Sequence, residues 1–154
     1  MNIRTALDRI VTLQEALTIT SPISASIKKV HKYPPNRGVA LPDTPCWMNS
    51  WTLERVEREF RTRHAFYEVS AQLFVLDADL NRAADIATAF HVAFMDALDT
   101  SASINDDSAI ARWDHGGSGR ASDPTLSLLD WAGKSYIGLS EFLSLELLDT
   151  VTFA

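Results

Sequence analysis

Histidine and cysteine are the residues of this chain best suited to metal binding or nucleophilic catalysis, and their spacing argues against both. The four histidines are His31, His64, His91 and His115. They lie in separate segments, and no two of them have the HxxxH, HxH or HExxH spacing of a metal site. The single cysteine, Cys46, excludes an intramolecular disulfide and a cysteine zinc cluster. Its position beside Trp47 in an apolar stretch favours a buried thiol over a nucleophile.

Three further motifs have the residue types of a site but not its context. Asp114 and His115 lie near Asp106 and Asp107, but the glycines that follow make this segment too mobile to hold metal ligands in place. The run 116–119 has neither the preceding strand nor the following Lys-Ser/Thr and helix of a phosphate-binding loop. The string 133–135 reads Gly-Lys-Ser without the earlier glycine of that motif. We therefore expect no metal, no cofactor and no catalytic residue, and so no enzymatic activity.

The basic and aromatic run 28–33 has two interpretations. Positive charge interleaved with a ring suits contact with nucleic acid, whereas lysines on a strand at the edge of a sheet discourage aggregation. The net charge of −6 argues against a general DNA-binding protein, and we favour the edge strand. The four tryptophans are Trp47, Trp51, Trp113 and Trp131. They are many for a chain of this length, and we expect some of them in a contact surface.

Charge is divided unevenly along the chain. Residues 1–63 contain ten Lys or Arg and six Asp or Glu, which gives +4, and residues 64–154 contain four and fourteen, which gives −10. Such a molecule can pack head to tail with copies of itself if the two signs lie on different faces. A folded mixture of both signs without a charged face is the alternative.

Length and composition predict one globular domain. The chain has 154 residues, of which 46% are hydrophobic and 22% charged, as in ordinary folded proteins. No segment has the roughly 20 uncharged apolar residues of a membrane-spanning helix. Charged residues within the first 20 argue against a secretory signal, and we expect a chain that begins near Met1 and tolerates a reducing compartment.

Hydrophobic periodicity predicts two helices and several strands. The predicted order is a helix over 3–17, a weak strand over 25–33, an irregular stretch over 34–45, a short strand over 46–51, a solvated segment over 54–63, a strand over 64–76, a helix over 80–99, a loop over 100–124, and a hairpin of 125–131 and 136–149. This order predicts a single α+β domain, 1–154, with a mainly antiparallel sheet, both helices on one face, and a long C-terminal β-hairpin.

The order of these elements and several short strings resemble a known family. The strings are Leu7 and Ile10 in the opening helix, Tyr33-Pro34-Pro35-Asn36 followed by Leu41-Pro42, Leu73-Phe74-Val75 at the end of the long strand, the helix 80–99, and Trp131-Ala132-Gly133-Lys134-Ser135-Tyr136-Ile137-Gly138 in the hairpin. Together they resemble the tail terminator, or tail-completion, proteins of long-tailed bacteriophages and related tail-like particles. None of these strings is a catalytic signature, and the Gly-rich segment within 100–124 departs from the family pattern.

The resemblance implies a structural virion protein at the head-proximal end of the tail, assembled in the host cytoplasm. Its subunits would form a ring, usually of six copies, that caps the tail tube, ends tube polymerisation and joins the tail to the head connector. The implied partners are a second copy of the chain, the tail tube protein and a head-proximal connector or neck protein. DNA would pass through the lumen without specific binding, and the acidic second half of the chain would suit that lumen.

A ring needs two unlike, complementary patches on every subunit. One predicted patch combines the proline-rich segment 34–45, the hexad 46–51 and the charged run 54–63, and the other is the acidic helix 77–99. The candidate interface residues are Tyr33, Pro34, Pro35, Trp47, Trp51, Arg61, Arg63, Asp79 and Asp85. A head-tail connector or neck subunit, a small α+β ligand-binding protein or enzyme, and a nucleic-acid-binding regulator remain alternatives.

Overall fold

The computed structural model describes residues 2–41, 43–100, 110–115 and 125–150. The two helices are α1, Ile3–Glu15, and α2, Leu80–Thr100. The strands are β1 Thr18–Ile19, β2 Ala25–Ser26, β3 Lys29–His31, β4 Cys46–Glu59, β5 Thr62–Val75, β6 Ile110–His115, β7 Thr125–Trp131 and β8 Lys134–Thr150. The predicted α+β class and the predicted C-terminal hairpin of β7 and β8 are confirmed.

Six strands form one sheet in the order β3-β4-β5-β8-β6, with β7 paired to the first half of β8. Only β3 and β4 run parallel, and the other four pairings are antiparallel. Strands β1 and β2 form a separate antiparallel pair. The sheet is therefore mainly antiparallel, as the sequence predicts.

Both helices pack on the same face of the sheet, called here the helix side. The apolar stripe of α2 is buried through Ala83, Ala87, Phe90 and Phe94, which recur every three or four residues. They meet alternate residues of β5 and β8 in the main core, where the Trp47 and Phe94 rings lie 4.9 Å apart. This contact fixes the position of α2 over the sheet.

The opposite face of the sheet has a smaller core near the first residues of β4. It consists of Leu41, Cys46, Met48, Phe74 and Tyr136. Gly138 lies in this part of β8, and a Cβ there would be 2.3 Å from the Leu73 carbonyl oxygen and 2.4 Å from Leu129 Cδ1. Close packing therefore requires glycine at this position.

Side chains cap the start of each helix. Asn2 Oδ1 accepts a hydrogen bond from the Thr5 amide at 3.0 Å, and Asp79 Oδ1 accepts from the amides of Asn81 and Arg82. These bonds satisfy amides that have no partner within the helix.

Three predicted elements differ from the structure. The solvated segment 54–63 is instead the second half of β4, the turn and the start of β5, because every residue from Arg55 to Glu59 pairs with β5. The region 25–33 forms two very short strands with different partners. Residues 110–115 of the predicted loop 100–124 form β6 on the edge of β8. The remainder of that loop, including the Gly-rich run 116–119, lies outside the described residues.

Candidate assembly surface

The hairpin of β4 and β5 extends beyond the part of the sheet that the helices cover. Residues Cys46 to Asn49 of β4 are buried, whereas all ten residues from Ser50 to Glu59 are exposed. We call the segment Ser50–Arg63 the arm. Strands normally bury one face, whereas this strand is exposed on both faces over ten residues.

Cross-strand pairing places two different sets of side chains on the two faces of the arm. Trp51 pairs with Val69, Leu53 with Tyr67 and Val56 with Ala65 on the helix side. A bulge between Leu53 and Arg55 gives β4 one additional residue, and it keeps Val56 on the same face as Leu53. Trp51, Leu53 and Val56 are 42%, 44% and 40% exposed. The arm therefore presents an apolar row to solvent.

Ring contacts hold several arm side chains in place. The rings of Trp51 and Tyr67 meet edge to face with centroids 5.5 Å apart. On the opposite face the Arg55 guanidinium lies 3.8 Å from the centre of the Phe66 ring. Arg55 Nε also donates to Glu57 Oε1 at 2.9 Å. The arm is thus an ordered surface, even though the helices do not cover it.

The tip of the arm is a two-residue turn, Phe60 and Arg61, between the paired residues Glu59 and Thr62. Phe60 is 86% exposed, more than any other large apolar residue of the described chain. Arg61 has a φ of 68°, a conformation that favours glycine. The tip therefore combines an exposed ring with a strained arginine.

A groove of about 210 Å³ runs along the helix side of the arm, next to the start of α1. Its apolar lining includes Ile3, Leu53, Val56 and Tyr67. Arg58 and Arg63 also line it, and they pair across the two strands. The groove therefore combines an apolar floor with two neighbouring positive charges.

The outward face of α2 contains exposed aspartates, which are opposite in charge to the two arginines of the groove. Asp85, Asp96 and Asp99 are exposed along this helix. Arg82 is the one basic residue of α2 apart from His91, and it is bound to Asp77 through Nε and Nη2 at 3.0 and 2.9 Å. This contact lowers the pKa of the Asp77 carboxyl, with the Asp79 amide as a second donor. Three of the four exposed charged residues of α2 are therefore acidic.

Two buried polar pairs connect the helices to the sheet. Gln14 of α1 and Asn49 of β4, both fully buried, exchange amide hydrogen bonds of 2.9 and 2.7 Å. His91 of α2 binds Glu141 of β8 through Nδ1, and Glu141 is 1% exposed. The hydrogen bond to Glu141 raises the pKa of His91, although burial acts in the opposite direction. Each pair joins one helix to one strand of the main sheet, α1 to β4 and α2 to β8.

The remaining residues suited to chemistry occupy structural positions. Burial and nearby Asp43 raise the pKa of Cys46 to about 12, so its thiol is not ionised near neutrality. His64 Nδ1 lies 2.8 Å from Glu146 Oε1 across β5 and β8. Burial, together with Lys29, lowers the pKa of His31 on the edge strand β3. Within 2–41, 43–100, 110–115 and 125–150, no three His, Cys, Asp or Glu side chains are grouped to hold a metal.

The predicted interface residues fall into separate places. Trp51, Arg61 and Arg63 are on the arm, and Asp79 and Asp85 are at the start of α2. Tyr33 is 49% exposed, Pro34 is exposed and Pro35 is half-buried. Because β3 runs parallel to β4 with His31 opposite Met48, these three residues leave the sheet towards the base of the arm.

Trp47 was wrongly placed in the candidate interface. Its side chain is 0% exposed and packs in the main core against Phe94. Trp51, four residues later on the same face of β4, is 42% exposed. Sequence alone does not show where along a strand the covering layer stops.

Three arm residues were missed by sequence reasoning. Leu53, Val56 and Phe60 are three and four residues apart, which is not the two-residue period of a strand. The bulge between Leu53 and Arg55 places Val56 on the face of Leu53, and no local pattern in the sequence marks that bulge. Trp131, half-buried, donates its Nε1–H to the Val39 carbonyl at 2.8 Å and thus ties the segment 34–45 to the hairpin.

Comparison with known proteins adds no relative. Neither a scan against protein-family models nor a search of curated proteins finds a match to this chain. Of the helices in the described part of the chain, none is both long and apolar enough to cross a membrane.

Proposed function

We propose that this chain is a non-enzymatic structural subunit that assembles into a ring, of about six copies, at the head-proximal end of a phage tail. The ring would cap the tail tube, stop its polymerisation and provide the seat for the head connector. This function follows the resemblance of the sequence to tail terminator proteins. Its main structural support is the exposure of the arm on both faces.

The arm supports assembly because it presents a contiguous apolar row, and exposed apolar surface does not stabilise a monomer. Trp51, Leu53 and Val56 share one face, and Phe60 is at the tip. Contiguous exposed apolar surface with a polar border is typical of protein contact sites. Tryptophan and arginine, which the arm also provides, are enriched among the residues that dominate binding energy.

The division of charge supports a head-to-tail contact rather than a symmetric dimer. The arm contains four arginines and three glutamates, whereas the exposed charges of α2 are mainly aspartates. Unlike patches on one subunit generate rings when the rotation between copies closes. An acidic ring surface also repels the DNA backbone, which suits passage of DNA without binding.

Two measurements test this proposal. Light scattering across a concentration series, with negative-stain images, should show closed rings, either free or after addition of tail tubes from the particle that carries this chain. Added protein should also shorten tubes that polymerise in its presence. A chain that stays monomeric and neither binds nor shortens tubes would overturn the proposal. Binding to heads without an effect on tube length would assign it to the neck instead.

A further inference from the structure

The outer edge of β4 lacks a neighbouring strand over most of its length. β3 pairs only with Cys46, Trp47 and Met48. From Asn49 to Glu59, no strand within the described ranges pairs with that edge. Eleven residues of unpaired backbone are a ready template for another strand.

The opposite edge of the sheet is open at the same level. There β6 pairs with β8, and no other described strand pairs with β6. The pairings place Trp51, Val69, Leu143 and His115 in one row across four strands. Two residues along these strands, the register aligns Leu53, Tyr67, Leu145 and Trp113. The bulge of β4 lies between the rows of Leu145 and Glu146, and the bulge of β6 lies between the rows of Glu146 and Leu147. Beyond both bulges, Val56 and Ile110 again share a row.

Strand direction makes the two edges compatible. Each step from β4 to β5, β8 and β6 is antiparallel, so β6 runs opposite to β4. Copies placed side by side in the same orientation therefore bring antiparallel edges together. Such an arrangement is heterologous, as a ring requires, and it keeps the helix side of every copy on the same side of the sheet.

Charge also favours a second copy as the strand that fills this edge. A neighbouring β4 would lie two strands from β8, about 10 Å away, and α2 packs over β8. β5 ends at Val75, away from the arm, and α2 begins shortly after it at Leu80 and contacts Glu141 through His91. The last turns of α2, with Asp96, therefore lie towards the end of the sheet that carries the arm. Arg58 of the neighbour faces the same side, next to Arg63. Asp96 and Arg58 of the neighbour therefore have opposite charges on the same side of the continued sheet.

We propose that copies of this chain join edge to edge, with Asn49–Glu59 of β4 in one copy paired antiparallel with β6 of the next. The sheet then continues from subunit to subunit, and the backbone edge of Asn49–Glu59 gains a hydrogen-bonded neighbour. This inference rests on the self-assembly in the proposed function. The alternating charges of 54–59 disfavour pairing with an arbitrary strand, so the edge is selective.

Cysteine cross-linking of the full chain tests the pairing. Thr52 and Asp114 are in one row but three strand spacings apart within a copy, about 14 Å, which exceeds the roughly 7 Å limit for a disulfide. The double variant Thr52→Cys/Asp114→Cys should therefore form a ladder of disulfide-linked oligomers on mild oxidation. Each single variant should form none, because native Cys46 is buried.

A register control uses Thr52→Cys/Arg112→Cys, which moves one cysteine two residues along β6. If neighbouring copies are level, this pair should cross-link at least about tenfold less. If they are staggered, a different β6 residue gives the strongest cross-link to position 52. Because the two edges are antiparallel, moving the β4 cysteine towards the C-terminus must still move the best β6 position towards the N-terminus. Cross-linking that shifts in the same direction, or oligomers that form without any link between the two edges, would overturn the pairing.

Hydrogen exchange provides a readout that needs no variant. The outward amides of Asn49–Glu59 should exchange at least about tenfold more slowly in assembled protein than in monomer. Rings with unprotected β4 amides would overturn the edge pairing and leave the proposed function standing. A chain that forms no oligomer under any condition, with tubes included, would overturn both.

Discussion

The two halves of the β4–β5 hairpin have the same secondary structure but opposite surroundings. From Cys46 to Asn49 the strand is covered by helices on one face and by the small core on the other, and all four residues are buried. From Ser50 onward the same strand has neither cover and is exposed. One half stabilises the monomer, and the other is available to a partner. Substitutions should therefore separate folding from assembly according to their position along one hairpin.

The largest expected effect is at the covered half. Phe94→Ala removes a fully buried ring that packs on Trp47, and we expect it to lower the free energy of unfolding by about 3–5 kcal/mol. Chemical denaturation followed by circular dichroism measures this change. A loss below about 1 kcal/mol would show that Phe94 is not in the core.

The buried pair of α2 and β8 should have a smaller, pH-dependent effect. Because the pKa of His91 is raised in the folded state, its contribution to stability is full below the ordinary value of 6.5 and is lost as pH rises through the folded value. His91→Gln should cost about 1–3 kcal/mol at pH 6 and progressively less at higher pH. Glu141→Gln is the control, since it should abolish the same pH dependence. Parallel stability curves for wild type and His91→Gln would contradict this account.

The cap of α2 should have an effect of intermediate size. Asp79→Ala removes the acceptor for the amides of Asn81 and Arg82, and we expect a loss of about 1 kcal/mol. Asp79→Asn retains an acceptor and should recover most of it. Equal unfolding midpoints for the Ala and Asn variants would argue against a capping role.

Substitutions in the arm should have the smallest effect on folding and the largest effect on assembly. Val56→Asp should change the free energy of unfolding by less than about 0.5 kcal/mol while it shifts the oligomer equilibrium strongly towards monomer. Ile23→Asp is the matched control, because both residues are β-branched and 40% exposed. Trp51→Ala, or charge reversal at Arg61 and Arg63, should act in the same direction as Val56→Asp. Oligomers that survive these changes would remove the arm from the interface.

Sequence reasoning succeeded where a local signal and the tertiary environment agree. The apolar spacing of α2, the Asp79 cap and the alternation of 125–149 each determine an element, and the class and the hairpin follow from them. The turn Ala132-Gly133, with φ values of 50° and 74°, matches the residue preference of a tight hairpin. These parts of the fold depend on neighbours close in sequence.

The remaining features depend on which distant segments meet. The charged run 54–63 forms a strand because β5 provides a partner along its whole length, and no local pattern states how far a helix layer extends over it. Trp47 and Trp51 lie on one face four residues apart, yet one is buried and the other exposed. The bonds of His91 to Glu141 and of Gln14 to Asn49 join residues 50 and 35 positions apart. Spacing along the chain contains no signal for such pairs.

The most direct test of the central claim is the native mass of wild-type protein and of Val56→Asp, with Ile23→Asp as control, measured by light scattering at matched concentrations with tail tubes present and absent. We expect wild type and Ile23→Asp to form the same closed oligomer and Val56→Asp to remain a folded monomer. Equal masses for all three proteins would contradict an assembly surface on the arm.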